Sequence, residues 1–312
     1  MEVDANYAHL NTETCPGHAS LGTGAPPPVH GIVANRWTET NPNGQGLRRL
    51  YCTDQPSASG TPAGNVAGAA NLRIPTLADR LVEASPESRG VSLSGKDRAA
   101  IYLAGRNPKH VVYWYDHDTG RWISSPAYDA DGVVGSVARD LVRRFNQQQA
   151  AGQIVNRFGT VWKPLPDPGR PGLPRPAANI ARYQATDLGL GFDHDLSRHP
   201  RGYFEAIYGS PFQDQLLADL ALAFLADPGI GLGRRGAPDL LALSFSAHDV
   251  VSHNFGNESE EELDTLRRLD RELGRLLAAL DGLARAEPAG RGRGPGPRPP
   301  TTWRSPWPTC WG

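Results

Sequence analysis

Four groups of residues in this chain have the types and spacing for chemistry on a negatively charged substrate. Thr14 directly precedes Cys15-Pro16 within "NTETCPGHASLGTGAPPPVHGIVANRW". Proline is favoured at the start of a helix, which sets the Thr14 hydroxyl at or beside a helix N-terminus. Unpaired N–H groups and the helix dipole favour negative charge there. A hydroxyl so placed suits a nucleophile, provided a metal or base lowers its pKa; the plainer reading is a capping threonine. Asn35 follows 21 residues later (35 − 14), with an amide able to donate to a substrate oxygen. Lys96 and Arg98 sit in "SGKDRAA". In an extended segment residues i and i+2 point the same way, so this pair reads as a two-pronged phosphate clamp. Taken alone, Lys-x-Arg is commonplace on solvated surfaces. Asp249 and His253, in "FSAHDVVSHNFGNES", bring together a carboxylate and an imidazole suited to zinc.

The elements that must position these residues are readable in outline. PTLADRLVEA (75–84) and PFQDQLLADLALAFLA (211–226) read as amphipathic helices. Residues 90–93, 110–115 and 121–124 read as strands, the last two around a turn at 118–120. The apolar run 238–246 looks like a strand buried in a parallel sheet. A long helix follows, with Asn257 as its cap, Glu260 three positions on, and leucines at helical spacing. Helix, buried strand, functional loop and helix in succession predict an α/β sandwich: a mostly parallel central sheet, helices on both faces, and ligands at the strand C-termini. Residues 54–70 and 163–196 read as low-pattern, loop-rich insertions of a catalytic domain spanning 1–286. Residues 287–312, rich in Arg, Gly and Pro, read as a disordered tail or one translated out of frame.

Composition narrows the partners. A net charge of −1 over 312 residues gives no reason to expect nucleic acid. No apolar run is long enough to span a membrane. The opening MEVDANYAHL has neither the basic nor the apolar stretch of a signal peptide. Cys15, Cys52 and Cys310 show no paired framework or metal-ligand spacing, leaving the redox compartment open; Cys15 reads as a small buried side chain.

The stretch "TETCPGHASLGTGAPPPVHGIVANRW" resembles the Thr-nucleophile branch of the alkaline phosphatase superfamily, which includes nucleotide pyrophosphatase/phosphodiesterases and a group of bacterial alkaline phosphatases. "PDLLALSFSAHDVVSHNFGNESEEELDTLRRLDRELGRLL" resembles the same family's metal-ligand segment. The resemblance implies that Thr14 is nucleophile and zinc ligand, forming a phosphothreonine, and that Asn35 binds a phosphoryl oxygen. It matches Lys96 and Arg98 to the pair that marks the phosphomonoesterases, and makes Asp249 and His253 ligands of a second zinc. It further implies two Zn²⁺ ions, a small-molecule phosphate ester as substrate, and a periplasmic or secreted location. His18 and His30 read as packing and hydrogen-bonding groups of the loop, and Asp193, His194 and Asp195 as a turn or cleft rim. The family's remaining ligands have no match: Asp4 is a poor substitute for an upstream aspartate, and His253 is the last histidine. The expectation is an incomplete core, truncated at both ends, with weak or no activity. The alternatives are a phosphodiesterase, which should not need Lys96 and Arg98, and a non-catalytic phosphate-binding protein.

Overall fold

The computed structural model describes residues 9–41, 44–56, 62–128, 133–149, 151–166, 188–189 and 191–286. The N-terminal part runs α1 (Thr14–Thr23), α2 (Pro27–His30), an antiparallel pair β1 (Arg36–Thr40) and β2 (Leu47–Tyr51), and a second pair β3 (Asp54–Pro56) and β4 (Pro62–Ala67). Next come α3 (Leu77–Ala84), β5 (Gly90–Ser94), α4 (Asp97–Ala104), β6 (Val111–Asp116) and β7 (Arg121–Ile123). After α5 (Val133–Gln148) and α6 (Ala151–Phe158), a two-residue pair forms from β8 (Val161–Trp162) and β9 (His194–Asp195). The chain continues with α7 (Tyr203–Tyr208), α8 (Phe212–Ala226), β10 (Leu240–Ser244), α9 (Ala247–Phe255) and α10 (Glu260–Ala286).

The central sheet has the order β10-β5-β6-β7, parallel across the first three strands and antiparallel at β7. The alternation of strand side chains divides the core between two faces. Val111, Tyr113 and Tyr115 of β6 join Val91 and Leu93 of β5 in a cluster with α5, α8, α9 and α10. Val112 and Trp114 face the other way, into a cluster with Cys15 and Ala19 of α1 and Ala100, Ile101 and Tyr102 of α4. Helices therefore cover both faces of a mostly parallel sheet, as expected.

Several local expectations are corrected. Asp54–Pro56 and Pro62–Ala67 form the antiparallel β3–β4 pair where the sequence reads as an unpatterned insertion. α8 is buried on almost every side, because α10 covers the flank that the sheet leaves free. β10 lies at the sheet edge with every residue half-buried, since it pairs with β5 on one side only. The cap of α10 is Ser259, whose Oγ accepts the Glu262 N–H at 3.1 Å, in place of Asn257. Helix α1 begins at Thr14, which puts Pro16 at its third position, where the missing N–H still costs no intrahelical bond. Cys15 and Cys52 form a disulfide across a separation of 37 residues, so the cysteines do carry a framework. His194 is fully buried, not on a rim; its ring nitrogens meet the Leu188 carbonyl and Glu261, among Trp162, Phe192 and Phe255. Asp4, Cys310 and the stretches 167–187 and 287–312 lie outside the described residues.

Candidate active site

The C-terminal ends of β5 and β10 meet the N-terminus of α1. Ser94, at the end of β5, donates from Oγ to the Ser244 carbonyl at 3.0 Å and accepts the Lys96 N–H at 3.1 Å. The Ser244 hydroxyl lies 2.9 Å from His18 Nε2, while His18 Nδ1 lies 2.9 Å from the Thr14 carbonyl. A carbonyl can only accept, so Nδ1 carries a proton, and Nε2 is engaged with the Ser244 hydroxyl. Burial and, less, Lys96 and Arg98 lower the His18 pKa.

Asn35 is pinned at the mouth of α1. Its Oδ1 accepts the Cys15 N–H at 2.8 Å, its own N–H donates to Glu13, and its carbonyl accepts the Cys52 N–H at 2.9 Å. With Oδ1 committed, the amide Nδ2 is the group left to donate.

The cations are less alike than their spacing suggests. Lys96 is extended (φ −123°, ψ 134°) and precedes α4, but Arg98 lies in the first turn of that helix, so the extended-segment premise does not hold. Lys96 is 8% exposed and paired with Asp249. Burial pulls its pKa below the ordinary lysine range, with Asp249 opposing. Arg98 donates from Nη1 to the Tyr51 hydroxyl at 3.1 Å and to Asp97 at 3.3 Å. Burial opposes its charge, but Tyr51 and Asp97 outweigh that and leave its pKa raised. Tyr51 donates in turn to Asp97 at 3.1 Å, and burial pushes its phenol up to about 12. Nothing in "RLYCTD" singled out this tyrosine; it becomes visible once the β1–β2 pair folds back onto α4.

Asp249 and His253 stand one turn apart on α9, with Asp249 Oδ1 and His253 Nε2 at 3.5 Å. The turn that leads into α9 is held from below. Asp214 Oδ1 accepts the N–H groups of Ser246 and Ala247, each at 3.0 Å, and burial pushes its carboxyl up to about 7. Catalytic zinc sites usually take three protein ligands. Among the described residues no group of three or more His, Cys, Asp and Glu side chains converges as a metal site, and one Asp249 oxygen already serves Lys96. Among the described residues, Thr14, Asp249 and His253 do not make up a two-zinc centre.

Residues 2–286 match the pattern of the family described as type I phosphodiesterase / nucleotide pyrophosphatase. The chain belongs to that family. Alkaline phosphatase PhoD of Zymomonas mobilis is 32% identical over 281 residues, which are 89% of this chain and 44% of that protein. The crystal structure of alkaline phosphatase PafA superposes with a TM-score of 0.69 at 29% identity, covering 88% of this chain and 51% of that one. A PafA variant with a threonine changed to serine, and an asparagine, a lysine and an arginine changed to alanine, gives the same TM-score at 28% identity over 88% of this chain and 52% of that one. The chain thus spans about half the length of these relatives. Family and relatives are named for phosphatases and phosphodiesterases, hydrolases of phosphoric esters.

Proposed function

We propose that this chain carries the phosphate-recognition part of a phosphomonoesterase, with Thr14 in the nucleophile's place, and that on its own it turns substrate over weakly or not at all. The observation that carries this reading is the meeting at one strand-end corner of the α1 N-terminus, the pinned Asn35 amide, and two cations at the start of α4. A terminal phosphate with two charges is matched by Lys96 and Arg98; a diester, with one, needs fewer cations. The PafA variant supports the same assignment. Its substituted threonine and asparagine lie twenty-one positions apart and its lysine and arginine two apart, the separations of Thr14 from Asn35 and of Lys96 from Arg98.

The weak turnover follows from activation. Attack by Thr14 Oγ on phosphorus requires removal of its proton. His18, one turn on, has both nitrogens engaged, and no side chain among the described residues hydrogen-bonds the Thr14 hydroxyl. A zinc ion would supply that activation in the family reading, but Thr14, Asp249 and His253 do not make up its ligand set. The buried Cys15–Cys52 disulfide supports a secreted or periplasmic location, since disulfides persist in oxidising compartments.

The test is titration of inorganic phosphate and of a dialkyl phosphate into the chain by calorimetry. Phosphate is expected to bind, and Lys96→Ala to weaken it while leaving the diester unchanged. Equal loss for both ligands would favour a diesterase site; no binding of either would overturn the reading.

A further inference from the structure

Thr14, Asn35 and Arg98 come from three separate elements, yet one short covalent and hydrogen-bonded path joins them. Cys15, next to Thr14, is bonded to Cys52, next to Tyr51. Asn35 sits between the two half-cystines, taking the Cys15 N–H on its side chain and the Cys52 N–H on its carbonyl. Both cysteines are fully buried, and the Cys52 carbonyl is fixed by the Tyr102 hydroxyl at 2.6 Å and by Asn71 at 2.8 Å. From this anchor the Tyr51 hydroxyl accepts from Arg98 and donates to Asp97, so both of its hydrogen-bonding roles are spent on the clamp. The other Asp97 oxygen accepts from Thr53, the residue after Cys52, at 3.3 Å. The Arg36 guanidinium lies 4.6 Å over the Tyr51 ring and holds its plane.

We infer that Tyr51, anchored by the Cys15–Cys52 disulfide, is a positioning residue that aims Arg98 at a phosphate bound over Thr14 and Asn35, so that phosphate affinity depends on the Tyr51 hydroxyl and on the disulfide. This rests on the phosphate-recognition reading above. An arginine side chain has several rotatable bonds, and a guanidinium held by a hydroxyl on one side presents its remaining N–H groups in a fixed direction. Phenylalanine at position 51 keeps the ring and its packing and removes only that hold. A tyrosine serving packing alone would not show the loss.

The experiment is calorimetric titration of inorganic phosphate into the full chain and into Tyr51→Phe, Arg98→Ala and the double variant, with thermal unfolding of each. A wild-type sample reduced until Cys15, Cys52 and Cys310 all titrate as thiols is measured alongside. Tyr51→Phe is expected to weaken phosphate roughly tenfold, the scale of one hydrogen bond to a charged group, with an unchanged melting temperature. In the Arg98→Ala background the same change is expected to do nothing further, and reduction to weaken phosphate in the wild type. If Tyr51→Phe binds like wild type while Arg98→Ala is weakened, the positioning role is wrong and the recognition reading stands. If wild type binds no phosphate, or Arg98→Ala changes nothing, the recognition reading fails and the positioning role with it. Should Tyr51→Phe not fold, Asp97→Asn loosens the same hold with no change of shape and must weaken phosphate likewise.

Discussion

The corner where α1, β2, β5 and α4 meet and the flank made by β10, α9 and α10 belong to one sheet but differ in closure. In the corner every residue of β5 is buried, and a disulfide, a pinned asparagine and a tyrosine–aspartate–arginine group fix one another. On the flank β10 is half-exposed throughout, and α10 presents Leu266, Leu273, Leu277 and Leu280, each 42–61% exposed, as one stripe at helical spacing. The residues matched to phosphate binding lie in the closed corner. Of those matched to metal, Thr14 lies in the corner, whereas Asp249 and His253 lie on the flank, and the His253 side chain is 78% exposed. On the proposed reading, recognition rests on groups that hold each other, whereas Asp249 is already committed to Lys96 and His253 is largely exposed.

Four measurements break or sharpen that contrast. The largest effect is expected in the corner. Replacing both Cys15 and Cys52 by serine opens a loop of 37 residues and should cost about 4 kcal/mol in denaturant unfolding. A loss below about 1 kcal/mol would show that the disulfide does not organise the corner.

The second effect is on pH dependence. Asp214 is 2% exposed and its carboxyl is raised from 3.8 to about 7, so the folded chain holds a proton that the unfolded chain releases. Its contribution is fully present below about pH 4 and is lost as the pH rises through about 7. His30, lowered to about 4 by burial, runs the other way: its stabilisation is present above 6.5 and lost as the pH falls. The two oppose in the parent chain, so the informative quantity is a difference. Asp214→Asn, which keeps an acceptor for Ser246 and Ala247, should gain on the parent as the pH rises from 4 to 8, by the order of a few kcal/mol. A difference that is flat with pH would contradict the assignment.

Third, Asp249 competes with an added anion for Lys96. Asp249→Asn is expected to tighten inorganic phosphate several-fold in metal-free buffer. Weaker binding would mean that the carboxylate supports the phosphate site. The smallest effect on stability belongs to the flank. Leu273→Glu with Leu277→Glu should change the unfolding free energy by no more than about 0.5 kcal/mol per site, as at other exposed positions. The same change should lower self-association in light scattering, because a contiguous apolar stripe promotes it.

The same contrast governs how much was legible in the sequence. Apolar runs at 90–93, 110–115 and 238–246 gave the sheet, because burial of a strand is written in consecutive residues. The motif residues Thr14, Asn35, Lys96, Arg98, Asp249 and His253 were each readable, because their neighbours are special: prolines, glycines, strand ends. What escaped depends on distant pairing. The disulfide joins residues 37 apart with no periodic signal. Tyr51 acquires its role only when β2 lies against α4. Asp214 looks like the polar face of an amphipathic helix and is instead buried beneath the α9 turn. The β3–β4 pair rests on backbone bonds, which side-chain patterning does not record. Lys96 and Arg98 read as side by side on an extended segment, but the helix starts between them, at Asp97.

One preparation shows whether this chain holds a phosphate site without a complete metal centre. The recombinant chain is dialysed against zinc, its metal content is measured per molecule, and its turnover of an aryl phosphate is compared with that of Thr14→Ala. Less than one zinc per molecule, negligible turnover, and phosphate binding that persists without metal are expected. Two tightly held zinc ions with turnover abolished by Thr14→Ala would contradict this expectation.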